Sequence, residues 1–350
     1  MLDFVTLKPE EKRLYFEQTA FSMKVAPIVI EKDFWVCYTL FKLFSLPKIG
    51  ETLIFKGGTT LSKVYKVIQR FSEDIDISID RKSLGGEKND PSEMKIGTKE
   101  KQRRLAKLKE MCQKKINEEI HPLLNTAIAN DIVNNGKDWS LETDDSDPDG
   151  QTLIFKYPSA LISNKNGYIQ PVVKIEMGAR SDHWPSENQA VIPYVAEKYP
   201  QSFRNPSSNV KVLSAKRTFW EKATLLHAEY NRPDDKPLPS RLSRHYYDMA
   251  MLIKAEIINI ESSPDIDLLE KVTEHKKIFF QSSWAKYDEA KKGTLHISPN
   301  PERISELEND YKKMQEMFFV QAPSLTDILA TLSLWENELN QTEKHEEDVY

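Results

Sequence analysis

At 350 residues the chain is long for one domain and comfortable for two, and its 39% hydrophobic and 29% charged content excludes a disordered chain in favour of a soluble globular one. No apolar run approaches the roughly 20 residues needed to span a bilayer, and Met1-Leu2-Asp3-Phe4 brings an acid where a secretory signal would be basic and then apolar, so a cytosolic protein with no membrane partner is expected. A net charge of −5 excludes a chain that is basic as a whole, and two distant cysteines, Cys37 and Cys112, exclude a disulfide framework and a zinc cluster.

In chain order, Pro9 opens a helical stretch and Glu31 to Phe44 forms a second helix rich in aromatics. Thr52 to Phe55 is a short apolar strand that runs into Gly57-Gly58 and a helical segment, Leu61 to Ile68. Ile75 to Ile79 alternates apolar and polar residues, the period of a half-buried strand. Residues 82–98 read as a loop. Lys99 to Ile120 is an amphipathic helix, with Leu105, Leu108, Cys112, Ile116 and Ile120 on one face and a basic opposite face. A polar, acidic loop from Asn134 to Gly150 precedes two strands, Thr152 to Tyr157 and Gln170 to Met177. The remainder reads as helical, with helices at Ser214 to Tyr230, Ser240 to Lys254 and Glu302 to Val320, and a last one capped by Ser324 that carries Ile328, Leu332, Trp335 and Leu339. The expected fold class is α+β: a mixed sheet with flanking helices over residues 1–210, then a mainly helical domain over 211–350.

The chemistry concentrates in Phe55-Lys-Gly-Gly-Thr-Thr-Leu-Ser-Lys-Val-Tyr65 and Arg70-Phe-Ser-Glu-Asp-Ile-Asp-Ile77. Gly57 and Gly58 sit where a strand becomes a helix, where missing side chains let backbone N–H groups approach a phosphate. Asp74 and Asp76, two apart on a strand, point to one face roughly 6–7 Å apart and invite a cation between them. Magnesium suits such a pair, since it takes one or two carboxylates plus substrate phosphates. Glu176, between Ile175 and Met177 on a predicted strand, is the candidate third carboxylate, against an almost equal expectation that it is a paired structural acid. A lone Gly-Gly is only a turn and a lone Asp-x-Asp usually a solvated strand face; it is their order and spacing together that point to catalysis.

These motifs resemble the DNA polymerase beta-type nucleotidyltransferases, and more closely the AbiEii/AbiGii toxin family of bacterial abortive-infection proteins. The first motif is the pair of segments just quoted, and Ile30-Glu-Lys-Asp-Phe-Trp-Val36 resembles its lead-in. Thr218-Phe-Trp-Glu-Lys222 and Arg244-His-Tyr-Tyr-Asp248 resemble later motifs with a required lysine and aspartate. The resemblance covers about residues 28 to 255 and implies a fold, an activity and roles. Lys56, Gly57, Gly58, Thr59 and Ser72 bind the NTP, Ser72 by bonding a phosphate or else by orienting Asp74; Asp74, Asp76 and Glu176 hold Mg2+, with Mn2+ as an alternative; and Lys222, contributed by the helical domain, neutralises the departing pyrophosphate. Asp248 orients Lys222 or positions the acceptor, and its apolar setting requires a partner, Lys222 or Arg244. The plainer alternatives for Lys222 and Asp248 are a solvated helix lysine and a helix-surface acid.

The implied function is a toxin of a toxin–antitoxin or abortive-infection system that transfers NMP from an NTP to an acceptor. A tRNA 3′ end is favoured, and a cognate antitoxin encoded nearby is expected. Two other expectations stand beside it: the same chemistry on a protein or a small molecule, and a nucleotide-binding regulator without turnover. The basic helix Lys99 to Lys115 and the group Arg232, Lys236, Arg241 and Arg244 are where an RNA backbone would be gripped, although a solvated helix face is the commoner case. Asp145 to Gly150 matches only half of a calcium loop, since its twelfth position is Lys156, and reads as an acidic turn. The seven histidines show no zinc spacing.

Overall fold

The computed structural model describes residues 1–85, 90–93, 96–132, 139–161 and 170–341. The acidic tail Glu343 to Asp348 and parts of the expected loops 82–98 and 134–150 lie outside these residues. The chain divides into two compact units: Met1–Tyr65 with Phe71–Leu213, and Lys66–Arg70 with Ser214–Tyr350.

The first unit is an α+β fold. Its helices are α1 (Leu2–Val5), α2 (Pro9–Met23), α3 (Pro27–Phe44), α4 (Gly58–Lys63), α5 (Thr98–Lys115), α6 (His121–Ala129) and α7 (Tyr194–Lys198). Its strands are β1 (Leu53–Lys56), β2 (Ile75–Ile79), β3 (Ser140–Thr143), β4 (Thr152–Lys156), β5 (Val172–Gly178), β6 (Ser186–Val191) and β7 (Ser208–Leu213), which form one mixed sheet in the order β3-β4-β5-β2-β1-β7-β6. β2 pairs with β5, and β1 with β7, in parallel; the other pairings are antiparallel. One face is apolar: Leu53, Phe55, Ile75, Ile77, Ile79, Phe155, Val173 and Ile175 are all buried. α3 covers it, with Trp35 edge-on to Phe155 at 5.8 Å. The period-two alternation leaves the opposite face polar.

α3 is buried on every side from Val29 to Leu40, so its three consecutive charges need partners. The Glu31 carboxylate accepts from the Ser159 hydroxyl and the Ala160 N–H, both at 2.6 Å. Lys32 donates to Glu73 at 2.6 Å. Asp33 pairs with Lys63 at 2.7 Å and accepts the Tyr194 N–H at 2.7 Å, while the Lys63 ammonium also lies 3.2 Å from the Tyr194 ring centre. Burial pushes the Asp33 carboxyl up, and Lys63 acts against that shift.

Three strands depart from the sequence expectation of helix or loop. β3 falls inside the expected acidic loop and buries only Leu141. β6 is an edge strand of polar residues with one buried position, Val191, and so lacks an alternation to read. β7 does alternate, Val210 and Val212 being buried and Asn209 and Lys211 not. α4 begins at Gly58 and ends at Lys63, short of the expected Ile68; Lys66 has left the helix for positive φ (54°). The basic helix runs on instead, from α5 through a π-helical turn, Ile116–Ile120, into α6. Its buried stripe, Leu108, Cys112, Ile116, Ile120, Leu124 and Ile128, repeats every four residues. An ideal α-helix would carry such a stripe around its axis, and the wider π turn compensates.

The second unit is mainly helical: α8 (Ala215–Tyr230), α9 (Ser243–Lys254), α10 (Ser263–Phe279), α11 (Ile304–Lys313) and α12 (Leu325–Gln341). The expected helix from Glu302 to Val320 is the shorter α11 followed by a 3-10 turn at Gln315–Met317. Phe219 and Trp220 of α8 meet Trp335 of α12 at 5.1 and 6.0 Å between ring centres. Among the described residues no helix is long and apolar enough to cross a membrane.

Removing one partner of a buried ion pair strands the other. Asp33→Ala is therefore expected to lower stability by about 3–5 kcal/mol, and Asp33→Ala with Lys63→Met to recover most of that loss. Urea unfolding of the three proteins measures this; equal losses in the single and double variants would mean that the pair itself stabilises the fold.

Candidate active site

The polar face of the sheet carries the motif residues in register. Lys56 of β1 opposes Asp76 of β2, Asp76 lies beside Glu176 of β5, and Glu176 opposes Thr152 of β4. Register partners on adjacent strands share a face, so Lys56, Asp76, Glu176 and Thr152 form one row across four strands. Neighbouring strands lie roughly 5 Å apart, which brings the backbones of Asp76 and Glu176 side by side.

Gly57 closes this row from above. Its φ of 84° and ψ of −164° form a conformation almost reserved for glycine. A Cβ added there would lie 1.9 Å from the Asp76 Oδ2. The Asp76 carboxylate thus occupies the space that the missing side chain leaves. Thr59 is buried; its hydroxyl donates to the Asp74 carbonyl at 2.6 Å and meets the Ser72 Oγ at 2.9 Å. Thr60 donates to the Gly57 carbonyl at 2.7 Å. α4 is in this way stitched to the segment that delivers Asp74. The Lys32–Glu73 pair holds the same segment one residue before Asp74.

Asp76, set against Gly57 and beside Glu176, and Asp74 two residues before it are the carboxylates that would hold a magnesium ion, which takes one or two carboxylates plus phosphate oxygens. Glu176 is brought beside Asp76 by register, but its carboxylate accepts from Lys174 at 2.8 Å, and both side chains are more than a third exposed. Among the described residues no three His, Cys, Asp or Glu side chains are grouped as metal ligands.

Lys222 and Asp248 come together in the second unit. Lys222 of α8 donates to the Asp248 Oδ2 at 2.8 Å and lies 3.2 Å from the His245 Nδ1. Both are buried, so neither is the solvated helix residue of the plainer expectation. The second partner of Asp248 is Arg70, whose fork donates at 2.7 and 2.8 Å to its two oxygens. Burial pushes the Asp248 carboxyl up, but Arg70 and Lys222 outweigh it and hold Asp248 well below the usual carboxylate range. Burial lowers the Lys222 ammonium, and burial together with Lys222 lowers His245 well below the usual imidazole range. Arg70 lies inside the first motif, but its role depends on a partner 178 residues away.

The two basic groups differ. On α5, Arg103 and Arg104 pair with Glu100, Lys107 with Glu110 and Lys109 with Asp149; Lys114 and Lys115 reach Glu118 and Glu119 in the π turn. In the second unit, Lys236 lies 3.9 Å and Arg232 5.2 Å from the Trp284 ring centre, with Arg232 also forked onto Glu229. The acids of the 144–150 turn accept local hydrogen bonds: Asp144 from Ser146, and Asp147 from Asp149, Gln151 and Thr152.

A family model described as "Nucleotidyl transferase AbiEii toxin, Type IV TA system" matches residues 38–336. Among solved structures, MenT4, a nucleotidyltransferase toxin from Mycobacterium tuberculosis H37Rv, is similar at 14% identity over 86% of this chain and 98% of that chain, with a TM-score of 0.37, a likeness too distant to carry an argument. No curated protein matches the chain.

Gly57→Ala is expected to destabilise through backbone strain and through collision with Asp76. In an Asp76→Ala background only the strain remains, so the loss shrinks by about 1–3 kcal/mol. A double-mutant cycle by urea unfolding reads this coupling; strict additivity would mean that the carboxylate moves aside freely.

Proposed function

The chain belongs to the AbiEii nucleotidyltransferase toxin family of type IV toxin–antitoxin systems, and on that premise we propose that it transfers a nucleoside monophosphate from an NTP to RNA, the favoured acceptor being the 3′ end of a tRNA, at a magnesium site on Asp74 and Asp76. In this reading the acceptor hydroxyl attacks the α-phosphorus, the bond to the β,γ-diphosphate breaks, and pyrophosphate leaves. Magnesium, when bound, supplies charge neutralisation for the polyphosphate and the attacking oxygen. The observation that carries the reading is the Asp76 carboxylate set against the bare Cα of Gly57, in register with Lys56.

The chain's own residues have distinct tasks. Gly57 gives the Asp76 carboxylate its space, and Gly58, which opens α4, keeps the backbone bare where phosphate oxygens would approach. Thr59 fixes the Asp74 segment through its hydroxyl, which bonds the Asp74 carbonyl and the Ser72 Oγ, and this favours orientation of Asp74 as the task of Ser72. Lys222 is the cation for pyrophosphate departure, and Asp248, with both oxygens engaged by Arg70 and Lys222, acts by orienting Lys222.

An RNA acceptor is supported by the family and by the cations gathered around Trp284, a pairing of charge and ring suited to nucleotides. The α5 face gives weaker support, because its cations alternate with acids. A cognate antitoxin encoded nearby remains part of the proposal. The second reading keeps the chemistry and moves it to a protein or small-molecule acceptor; the acid-laced α5 and the net charge of −5 favour it.

The test is pyrophosphate release from each of the four NTPs with magnesium, with and without bulk tRNA, for wild type, Asp76→Ala and Lys222→Ala. The expected result is release that requires tRNA, is absent in Asp76→Ala and is slowed on the order of 10²–10³-fold in Lys222→Ala. Release that is indifferent to tRNA moves the reading to another acceptor. Tight NTP binding without release under any condition makes the protein a nucleotide-binding regulator.

A further inference from the structure

Lys174 is a charged residue of the β5 strand to which the catalytic reading gives no task. It lies two residues before Glu176 and therefore on the same polar face. Its ammonium donates to the Glu176 Oε1 at 2.8 Å and stands 3.9 Å from the Asp144 Oδ2. Acids thus reach it from two directions: Glu176 on its own strand and Asp144 just beyond β3. Asp76 and Lys56 continue the row on the far side of Glu176.

The acids around Lys174 are those that a divalent ion on this face would engage or feel. A like charge within several ångströms of a cation site weakens it, and the effect survives in a setting open to water, though it is then screened by salt. We propose that Lys174 is a tethered competitor of the divalent cation: its ammonium neutralises the acidic face of the metal-free protein and opposes the loading of the ion. This inference rests on the reading of Asp74 and Asp76 as the metal ligands. It also accounts for Glu176, which Lys174 engages although register sets it beside Asp76.

The experiment is titration of the full chain with Mn2+ in the absence of nucleotide, with free Mn2+ followed by electron paramagnetic resonance at low and at high KCl. Three proteins are compared: wild type, Lys174→Met and Lys174→Arg. Lys174 is about a third exposed, so its replacement leaves the core untouched, and circular dichroism checks this. The expected result is Mn2+ bound on the order of tenfold more tightly by Lys174→Met than by wild type at low salt, a gap that narrows in high KCl, and wild-type affinity in Lys174→Arg. Equal affinities of wild type and Lys174→Met, or weaker binding by Lys174→Met, would overturn the inference while leaving the metal site standing. Absence of Mn2+ binding from all three proteins, with NTP present as well as absent, would remove the metal reading and this inference with it.

Discussion

Everything proposed for the site depends on one close approach, that of the Asp76 carboxylate to the α-carbon of Gly57. No other residue type combines that backbone conformation with the space the carboxylate takes up. The turn places α4 directly after β1, while the antiparallel pairing of β1 and β2 sets Asp76 opposite Lys56. Parallel pairing of β2 with β5 then draws in Glu176 and, through it, Lys174. Each step is fixed by register, because a slip of one residue would turn the whole row towards the apolar face under α3.

The charged triplet of α3 shows how that geometry is held. A helix buried on all sides gains nothing from Glu31, Lys32 and Asp33 unless each is satisfied, and each partner lies near the active-site segments or against the sheet. Lys32 grips Glu73 beside Asp74, and Asp33 grips Lys63 at the end of α4. The two ends of the Gly57-Gly58 motif are thus anchored to one buried helix, an arrangement that favours preorganisation over adjustment.

The parts that were legible in the sequence are those with local causes. Gly57-Gly58 reports a backbone conformation, and the alternation from Ile75 to Ile79 reports a strand with one wet face; both follow from the residues themselves. The apolar surroundings of Lys222 and Asp248 already required pairing, and the two are paired. The helical second half was legible for the same reason, from stripes such as Ile328, Leu332, Trp335 and Leu339. What could not be read depends on distant partners. β6 is a strand only because β7 offers it a ladder, and nothing in Ser-Glu-Asn-Gln-Ala-Val signals it. Arg70 looks like an ordinary motif arginine until Asp248 closes on its fork. The salt bridges that dilute the basic face of α5 had a local signal, acids three and four residues from the cations, outweighed by the count of lysines and arginines.

The path of the chain has one more consequence. Residues 66–70 belong to the second unit, while the residues on either side belong to the first. No single cut in the polypeptide therefore separates the two, since a break after Leu213 leaves Arg70 on one fragment and Asp248 on the other. Exchange of the helical half for another would also have to rewrite residues 66–70, which join the two segments of the first motif. A graft of the helical half onto another protein has to carry residues 66–70 with it if the Arg70–Asp248 fork is to be kept.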